Sequence, residues 1–373
     1  MTTKRPFFNY YYLAAIIFLI AYAITVFQQV HEWGGWLLAL FFFSLAIAFR
    51  GHPFLKGFTF TIIILAVVSL AMYYPHYFQT IGNVKTTALI IPAMQVIMFG
   101  MGTELSFKDF GDVLRMPKGV IVGIICHYTI MPLVGFLIAK SFNFPDEVAA
   151  GIILIGCCPS GLASNVMCFL AKANLALSVT VTAVSTLVAP ILTPLLMKLL
   201  AGSYIEVDFW KMVWQITEIV IIPVVAGLIF HYLIRGKFKW LDKAMPYFSM
   251  IGIGMVLVII TADKSEALKK VGLLLLLATA IHNLAGYFLG YWSARMLKFP
   301  ERDARTIALE VGMQNAGLAA GLAKAMGVML AGLAPTVFGV LMNITGSSLA
   351  NWWHNRDPER KTADKKQELI VES

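Results

Sequence analysis

The chain has 373 residues, of which 59% are apolar and only 13% are charged. Soluble globular domains carry about 25% charged residues, so this composition excludes a water-soluble domain and indicates an outer surface solvated by lipid bilayer. The formal net charge is +9, but the basic residues fall in short loops and the tail. Because no continuous basic face is present, nucleic acid is not an expected partner.

Membrane helices need about 20 apolar residues to cross the hydrocarbon core. The first apolar run follows Lys4 and Arg5 as in a signal peptide, but no small-residue cleavage pattern closes it, so we expect an uncleaved first helix. A polar tail is expected over 355–373. The predicted spans are 9–28, 34–50, 57–75, 87–106, 118–140, 148–171, 175–200, 210–234, 244–262, 271–296, 303–327 and 330–352.

The positions of the basic residues predict the orientation. If the N-terminus is inside, 21 of the 29 Lys and Arg residues lie in or beside inside segments, and eight lie outside. Short inside loops carry an excess of Lys and Arg. The sequence therefore predicts a multi-pass protein of the cell inner (plasma) membrane with both termini inside.

The last ten spans form two groups of five, and the fourth span of each group carries a polar, Gly-rich interruption. These interruptions lie near 157–165 and 310–317. Because five is odd, two such repeats must be inverted relative to each other. Inverted repeats with discontinuous helices are a common transporter plan, with the site near the midplane. Residues 1–56, with the first two spans, stand outside this repeat as an N-terminal extension.

The first interruption contains Pro159 and Gly161, which both weaken a helix. A broken helix offers carbonyl oxygens that suit a cation and amide hydrogens that suit an anion. A proline kink packed by small residues is the simpler alternative. Ser164 and Asn165 beside the break favour a functional site.

The second interruption places Glu310 well inside an apolar span. An ionised group there costs about 2.5–3.5 kcal/mol or more unless a partner offsets it. Gln314 lies four residues on, so it shares a helical face with Glu310. Hard cations such as sodium prefer oxygen ligands. Cation coordination is the favoured interpretation, and a protonated carboxyl in a structural hydrogen bond is the alternative.

Several polar residues in other spans are weaker candidates. Ser178 and Thr182 share one helical face, although such hydroxyls commonly bond their own backbone. His127 is either a structural donor or a titratable group near the site. Glu218 and His282–Asn283 are expected to act in packing or gating.

Four motifs together cover most of the chain: Phe99–Gly102 (FGMG), Gly156–Pro159 followed by Ala163–Val166 (GCCP, ASNV), Ala176–Val179 (ALSV) and Glu310–Asn315 (EVGMQN). On these motifs, the chain from about Phe58 to Trp353 resembles the bacterial branch of the bile acid:sodium symporter family. The resemblance implies a ten-helix unit over 57–354. Its panel domain is expected at about 57–117 and 205–265, and its core, with two crossed discontinuous helices, at about 118–204 and 266–354.

The resemblance also implies alternating access, two sodium sites and an adjoining substrate site. The first sodium site would use Ser164, Asn165, Ser178, Thr182 and Glu310. The second would use Glu310, Val311, Met313, Gln314 and His127, with Val311 and Met313 acting through their carbonyls. The substrate would meet Asn315 and the half-helix ends at Ser160, Gly161, Leu162 and Ala163.

Two positions depart from the family pattern. His127 stands where the family usually has a Gln. A neutral imidazole can ligate, but an imidazolium repels a cation, so we expect pH-sensitive transport or an imidazolium in place of one sodium. Ser160 and Leu162 stand where the family usually has a Gly and often a hydroxyl residue, which makes this part of the pocket more apolar.

The leading interpretation is a sodium-coupled symporter of a bile acid-like organic anion, such as a carboxylate or sulfonate. The alternative is a proton-driven or sodium-independent exporter of the same superfamily, which includes arsenite and auxin carriers. A thiolate of Cys157 or Cys158 would then bind a soft metalloid.

An enzyme or a channel is less expected. An enzyme would require a metal triad, a Ser/His/Asp set or paired acids, whereas only Glu310 is deeply placed. Channels assemble pore-lining rings, whereas inverted, broken helices are typical of carriers. The sequence carries no pattern that fixes the oligomeric state.

Overall fold

The computed structural model describes residues 5–29, 32–52, 55–234 and 239–356. Basic residues expected on the inside at 235–238, and the predicted tail from 357 onwards, lie outside this part of the chain. The helices are α1 Arg5–Phe27, α2 Gly34–Arg50, α3 Thr59–Tyr73, α4 His76–Gln79, α5 Ile90–Glu104, α6 Phe107–Arg115, α7 Pro117–Ser141, α8 Asp146–Cys157, α9 Leu162–Leu170, α10 Leu175–Leu200, α11 Phe209–Ile216, α12 Ile222–Ile234, α13 Lys239–Asp263, α14 Ser265–Met296, α15 Glu301–Gly312, α16 Ala316–Ala325 and α17 Leu333–His354.

All twelve predicted spans coincide with helical segments. Eight segments of the described chain are long and apolar enough to cross a membrane, and α2 and the apolar part of α13 are shorter. The remaining two predicted spans, 148–171 and 303–327, are each divided into two short helices, α8 with α9 and α15 with α16. The prediction of an all-α, multi-pass membrane protein is therefore confirmed.

Some local elements were not predicted from hydropathy. The short helix α6 is amphipathic, and its first turn is closed by Ser106, whose backbone N–H donates to the carboxylate of Asp109 at 2.6 Å. A two-residue hairpin pairs β1 (Thr80–Ile81) with β2 (Val84–Lys85) through Gly82 at φ +59°. A π-helical turn, Thr217–Ile221, joins α11 to α12. A search for long apolar runs cannot detect such short elements.

The long helices pack in two groups. Helix α5 packs against α12 and α13, and α3 also packs against α13. In the other group, α7 packs against α8, and α14 packs against α7, α15 and α17. Helix α1 packs mainly on α2, which packs on α3.

The broken helices are enclosed by protein. Every residue of Val148–Cys157 in α8 and of Ala304–Gly312 in α15 is buried. Interrupted backbone is tolerated at membrane depth only where protein or a wet cavity surrounds it. Burial of both helix ends meets that requirement and places each interruption inside the bundle.

Candidate cation and substrate site

The two helix breaks lie directly against each other. Helix α8 ends before Pro159, which has no N–H to continue the helical hydrogen bonds. Ser160 and Gln314 form an antiparallel β-bridge, and the Asn315 N–H donates to the Pro159 carbonyl at 2.9 Å. The structure thus brings together two segments whose residues Ser160 and Met313 are 153 positions apart in the sequence.

Side chains from neighbouring helices and from the breaks themselves bind the carbonyls that the breaks leave without helical partners. Such buried carbonyls must find other donors. The acceptor–donor pairs are Cys157 O with Thr193 Oγ1 (2.7 Å), Cys158 O with His127 Nε2 (2.8 Å), Glu310 O with His127 Nδ1 (2.9 Å), Val311 O with Gln314 Nε2 (2.7 Å), Gly312 O with Asn283 Nδ2 (2.8 Å) and Met313 O with Ser160 Oγ (3.2 Å).

His127 connects both breaks, because its two ring nitrogens contact carbonyls from α15 and from the end of α8. A carbonyl oxygen only accepts hydrogen bonds, so the ring satisfies both contacts only when both nitrogens carry hydrogen. The fully buried imidazole therefore lies between the two breaks with neither nitrogen free of a carbonyl contact. Its assignment as a sodium ligand stays a prediction.

Glu310 lies at the centre of a cluster of oxygen atoms and is fully buried. Its Oε1 accepts from the Ser178 hydroxyl at 2.5 Å, and its Oε2 accepts from the Thr182 hydroxyl at 2.9 Å. The Asn165 carbonyl oxygen contacts the same two hydroxyls at 2.7 and 3.3 Å. Ser164 Oγ lies 3.4 Å from Thr182 Oγ1. The structure brings together all five residues predicted for the first cation site.

This cluster contains more acceptors than its hydroxyl protons can serve. The single Ser178 proton faces both Asn165 Oδ1 and Glu310 Oε1. Among the described residues, no ion pair joins Glu310 to a basic side chain. A buried carboxylate without a countercharge is unfavourable, and a hard cation among these oxygens would supply the missing charge.

Gln314 provides a second unsatisfied oxygen. Its Nε2 donates to the Val311 carbonyl, while its buried Oε1 has no hydrogen-bond partner. An unpaired buried acceptor typically costs about 1–3 kcal/mol. The carbonyls of Val311 and Met313 lie on the same break and accept from Gln314 Nε2 and Ser160 Oγ. These predicted ligands of the second cation site therefore form one local group of oxygens, within which Gln314 Oε1 has no donor.

A cavity of about 280 Å³ adjoins the breaks. Gly161, Leu162, Ala163 and Asn315 line it, as expected for substrate-facing residues. Ser160 does not: its hydroxyl is buried between Ser164 Oγ at 3.3 Å and the Met313 carbonyl at 3.2 Å. Further lining comes from α3, α5, α9, α13 and α17 and is mainly apolar, including Met98, Met101, Met167, Met250 and Met342.

Asn283, which the sequence suggested only for packing or gating, supports the second break directly. It donates to the Gly312 carbonyl and accepts from the Thr345 hydroxyl at 2.5 Å. A Cβ on Gly312 would lie 2.2 Å from the Tyr287 ring, so α14 and α15 approach closely here. The spacing of Gly286 and Gly290 in α14 is a small-xxx-small pattern that could have indicated this contact.

The other two weak candidates lie away from the oxygen cluster. His282 Nε2 contacts the Met131 carbonyl at 2.9 Å, and its Nδ1 has no partner. Glu218 belongs to the π-helical turn, and its carbonyl accepts from Gln95 Nε2 at 3.4 Å. Neither side chain contacts Glu310.

Comparison with known proteins agrees with the motifs. The model of the Sodium Bile acid symporter family matches residues 91–271. A Bacillus subtilis protein described as an uncharacterized sodium-dependent transporter, YocS, is 40% identical over 315 residues, which cover 84% of this chain and 97% of that protein. The chain belongs to the sodium bile acid symporter family.

Plant relatives extend this similarity. A chloroplastic protein of Oryza sativa subsp. japonica described as the probable sodium/metabolite cotransporter BASS1 is 36% identical over 278 residues, covering 73% of this chain and 68% of that protein. Its counterpart in Arabidopsis thaliana is 35% identical over 279 residues, covering 74% of this chain and 70% of that protein. Family membership is thus supported across most of the bundle.

Proposed function

We propose that the protein is a sodium-coupled symporter that carries a small organic anion across the plasma membrane by alternating access. The observation that carries this proposal is Glu310, a fully buried carboxylate among hydroxyl and amide oxygens, with no basic partner among the described side chains. A sodium ion at this position would neutralise the carboxylate. Membership of the sodium bile acid symporter family and the printed names of the relatives support sodium as the ion.

We assign two sodium sites to the breaks. The first is formed by Ser164, Asn165, Ser178, Thr182 and Glu310, whose oxygens already converge. The second comprises Glu310, the carbonyls of Val311 and Met313, and Gln314 Oε1, with His127 beside it. Occupation of the second site would require the Val311 and Met313 carbonyls to share or exchange their present donors.

The packing supports a division into two moving units. The panel would comprise about 57–117 and 205–265, and the core about 118–204 and 266–354. The cavity lies between these units, because α3, α5 and α13 contribute one side, and α9, α16 and α17 the other. We assign the ten helical spans of these units to two inverted five-helix repeats whose discontinuous helices cross.

The cavity reaches Gly57 and Glu104, which are both exposed near one end of the bundle. If both termini are inside, as the basic residues predict, that end faces the cytoplasm, and we infer an inward-open state. At the end of the cavity next to the helix breaks, the first turns of α9 and α16 present backbone amides, which favour an anionic group.

The alternative of metalloid transport has less support. Cys157 and Cys158, which would supply the thiolate, are buried and lie outside the described cavity lining.

The proposal can be tested first with sodium alone. Purified protein should show a higher melting temperature in NaCl than in KCl at equal ionic strength, because a ligand of the native state stabilises it by mass action. Organic carboxylates and sulfonates are then screened by the same measurement with and without sodium, followed by uptake into proteoliposomes. Equal melting temperatures in both salts, with anion effects independent of sodium, would refute sodium coupling.

A further inference from the structure

A second cavity lies outside the transport site, between the C-terminal halves of α14 and α17. Its volume is about 650 Å³. The residues on α14 recur every three or four positions from Leu284 to Trp292, so they form one stripe about 12 Å long along the helix. Thr345, Leu349 and Trp352 form the facing stripe on α17. We call this surface the α14–α17 groove.

One end of the α14–α17 groove is apolar and open to the surroundings of the protein. Leu284, Phe288 and Trp292 are 53%, 63% and 51% exposed, and they lie within a segment apolar enough to span the membrane. The floor includes Tyr291 and Trp353, whose stacked rings have centroids 5.9 Å apart. Aromatic side chains of this kind are enriched where hydrocarbon meets the headgroup region.

The other end of the groove is charged and coincides with the end of α17. Glu301, Arg305 and Arg356 line it. Arg305 is buried and uses its donors on Glu301 Oε1 at 2.9 Å and on the carbonyls of Ala171, Trp353 and Arg356. Tyr291 also donates to Glu301 at 2.7 Å. The one acidic side chain among the described residues that line the groove is therefore already hydrogen-bonded and paired.

Arg356 is the cation that remains for a ligand. It is exposed, and its guanidinium lies 4.1 Å from the centre of the Trp352 ring, which holds the charge at the edge of the groove. Within the described residues, no carboxylate pairs with this guanidinium. The groove is therefore apolar inside the membrane span and positively charged at the helix end.

We propose that the α14–α17 groove is a binding site for an anionic phospholipid, with its acyl chain along Leu284, Phe288 and Leu349 and its phosphate beside Arg356. The order of apolar and charged groups along the groove matches the order within such a lipid. A basic site between helices at a membrane face is a recognised arrangement for anionic headgroups. Arg305 of α15 donates to the Trp353 carbonyl at the end of α17, and Tyr291 of α14 donates to Glu301 of α15. A lipid packed across α14 and α17 would therefore stabilise the contact of these three helices.

The test uses the full-length protein in bilayers that contain phosphatidylglycerol and phosphatidylcholine, with bromine on the acyl chains of one lipid at a time. Bromine quenches nearby tryptophan, and Trp292, Trp352 and Trp353 line the groove. At equal mole fraction, brominated phosphatidylglycerol should quench more strongly than brominated phosphatidylcholine. Arg356→Gln should reduce this preference by about fivefold, the contribution of one basic residue at an anionic surface.

Arg115→Gln is the matched control, because Arg115 is also an exposed arginine at a helix end but lies on α6, away from the groove. It should leave the lipid preference unchanged. Trp352→Ala should lower both the preference and the quenching. Equal quenching by the two lipids in the wild type, or a preference that Arg356→Gln does not alter, would overturn the proposal. Weak quenching by both lipids in a stable dimer would instead identify a second copy of the chain as the occupant.

Discussion

The two helix breaks look alike in the backbone, but their side chains supply different groups. The break between α15 and α16 carries the charge and the amides, in Glu310, Gln314 and Asn315. The break between α8 and α9 contributes hydroxyls, the Asn165 amide and the half-buried first turn of α9 at Leu162, which lines the cavity. The comparison indicates that the two breaks have different roles. The α15–α16 break provides the negative charge, and the α8–α9 break completes the oxygen shell and faces the cavity.

Replacing Glu310 should produce the largest effect. Glu310→Gln preserves the shape of the side chain but removes the charge that a cation would neutralise. We expect sodium binding to weaken by roughly 60-fold, corresponding to about 2.5 kcal/mol, and the sodium-dependent rise in melting temperature to disappear at moderate salt. Transport driven by a sodium gradient should be lost.

The exposed carboxylate Glu266, which pairs with Lys269 on the surface of α14, provides the control. Glu266→Gln should retain the sodium response of the wild type. If the melting temperature of Glu310→Gln exceeds that of the wild type by the same margin in NaCl and in KCl, the substitution has only removed the cost of burying a charge. If the melting temperature of the wild type is also the same in both salts, the Glu310 carboxylate is not a sodium ligand.

Thr182 and Thr186 offer a matched pair on α10 that tests the oxygen shell supplied to Glu310. Thr182 Oγ1 contacts Glu310 Oε2 at 2.9 Å, whereas Thr186 Oγ1 donates to the carbonyl of Thr182 at 2.8 Å. Thr182→Val should weaken sodium binding about tenfold, because a hydrogen bond or ligand to a charged group contributes about 1.5–3 kcal/mol. Thr186→Val should change it by less than about threefold. Sodium titrations by thermal shift measure both, and equal effects would contradict the assignment.

The sequence predicted the bundle well because membrane helices are specified by apolar length. All twelve spans appear as helices, and both breaks occur where Pro159 and the Glu310–Asn315 motif suggested. The convergence of Ser178 and Thr182 on Glu310 depended on the resemblance, since helical spacing alone shows only that two hydroxyls share a face.

The donors that support the breaks were the hardest part to predict. Asn283 and Thr193 lie in ordinary apolar helices, and their partners are backbone carbonyls, which have no signature in the sequence. Only the three-dimensional packing of α14 on α15, and of α10 on the end of α8, reveals these contacts. The same holds for His127, whose position was noted but whose contact with both breaks was not.

His127→Gln tests the link between the two breaks and should have an intermediate effect. One amide cannot donate to both the Cys158 and the Glu310 carbonyls in the geometry of the imidazole, so we expect a loss of about 1 kcal/mol of stability. The melting temperature without sodium measures this loss. Uptake at saturating sodium between about pH 5.5 and 8.5 measures the pH sensitivity expected from a histidine at this position. Flat profiles in both proteins would exclude that expectation.

The smallest effect on sodium binding should come from the cavity side of the first break. Leu162 is half-buried and lines the cavity, and its apolar side chain offers no ligand for a cation. Leu162→Ala should therefore leave sodium affinity unchanged and enlarge the space available to the apolar part of a substrate. A loss or gain of a few methylene contacts changes binding by about 1–3 kcal/mol. Thermal shifts are measured at fixed sodium with straight-chain carboxylates of increasing length. The length that stabilises Leu162→Ala most should be greater than the length that stabilises the wild type most. A changed sodium titration with an unchanged length preference would mean that this break serves the cation alone, and the two breaks would then share one task instead of dividing two.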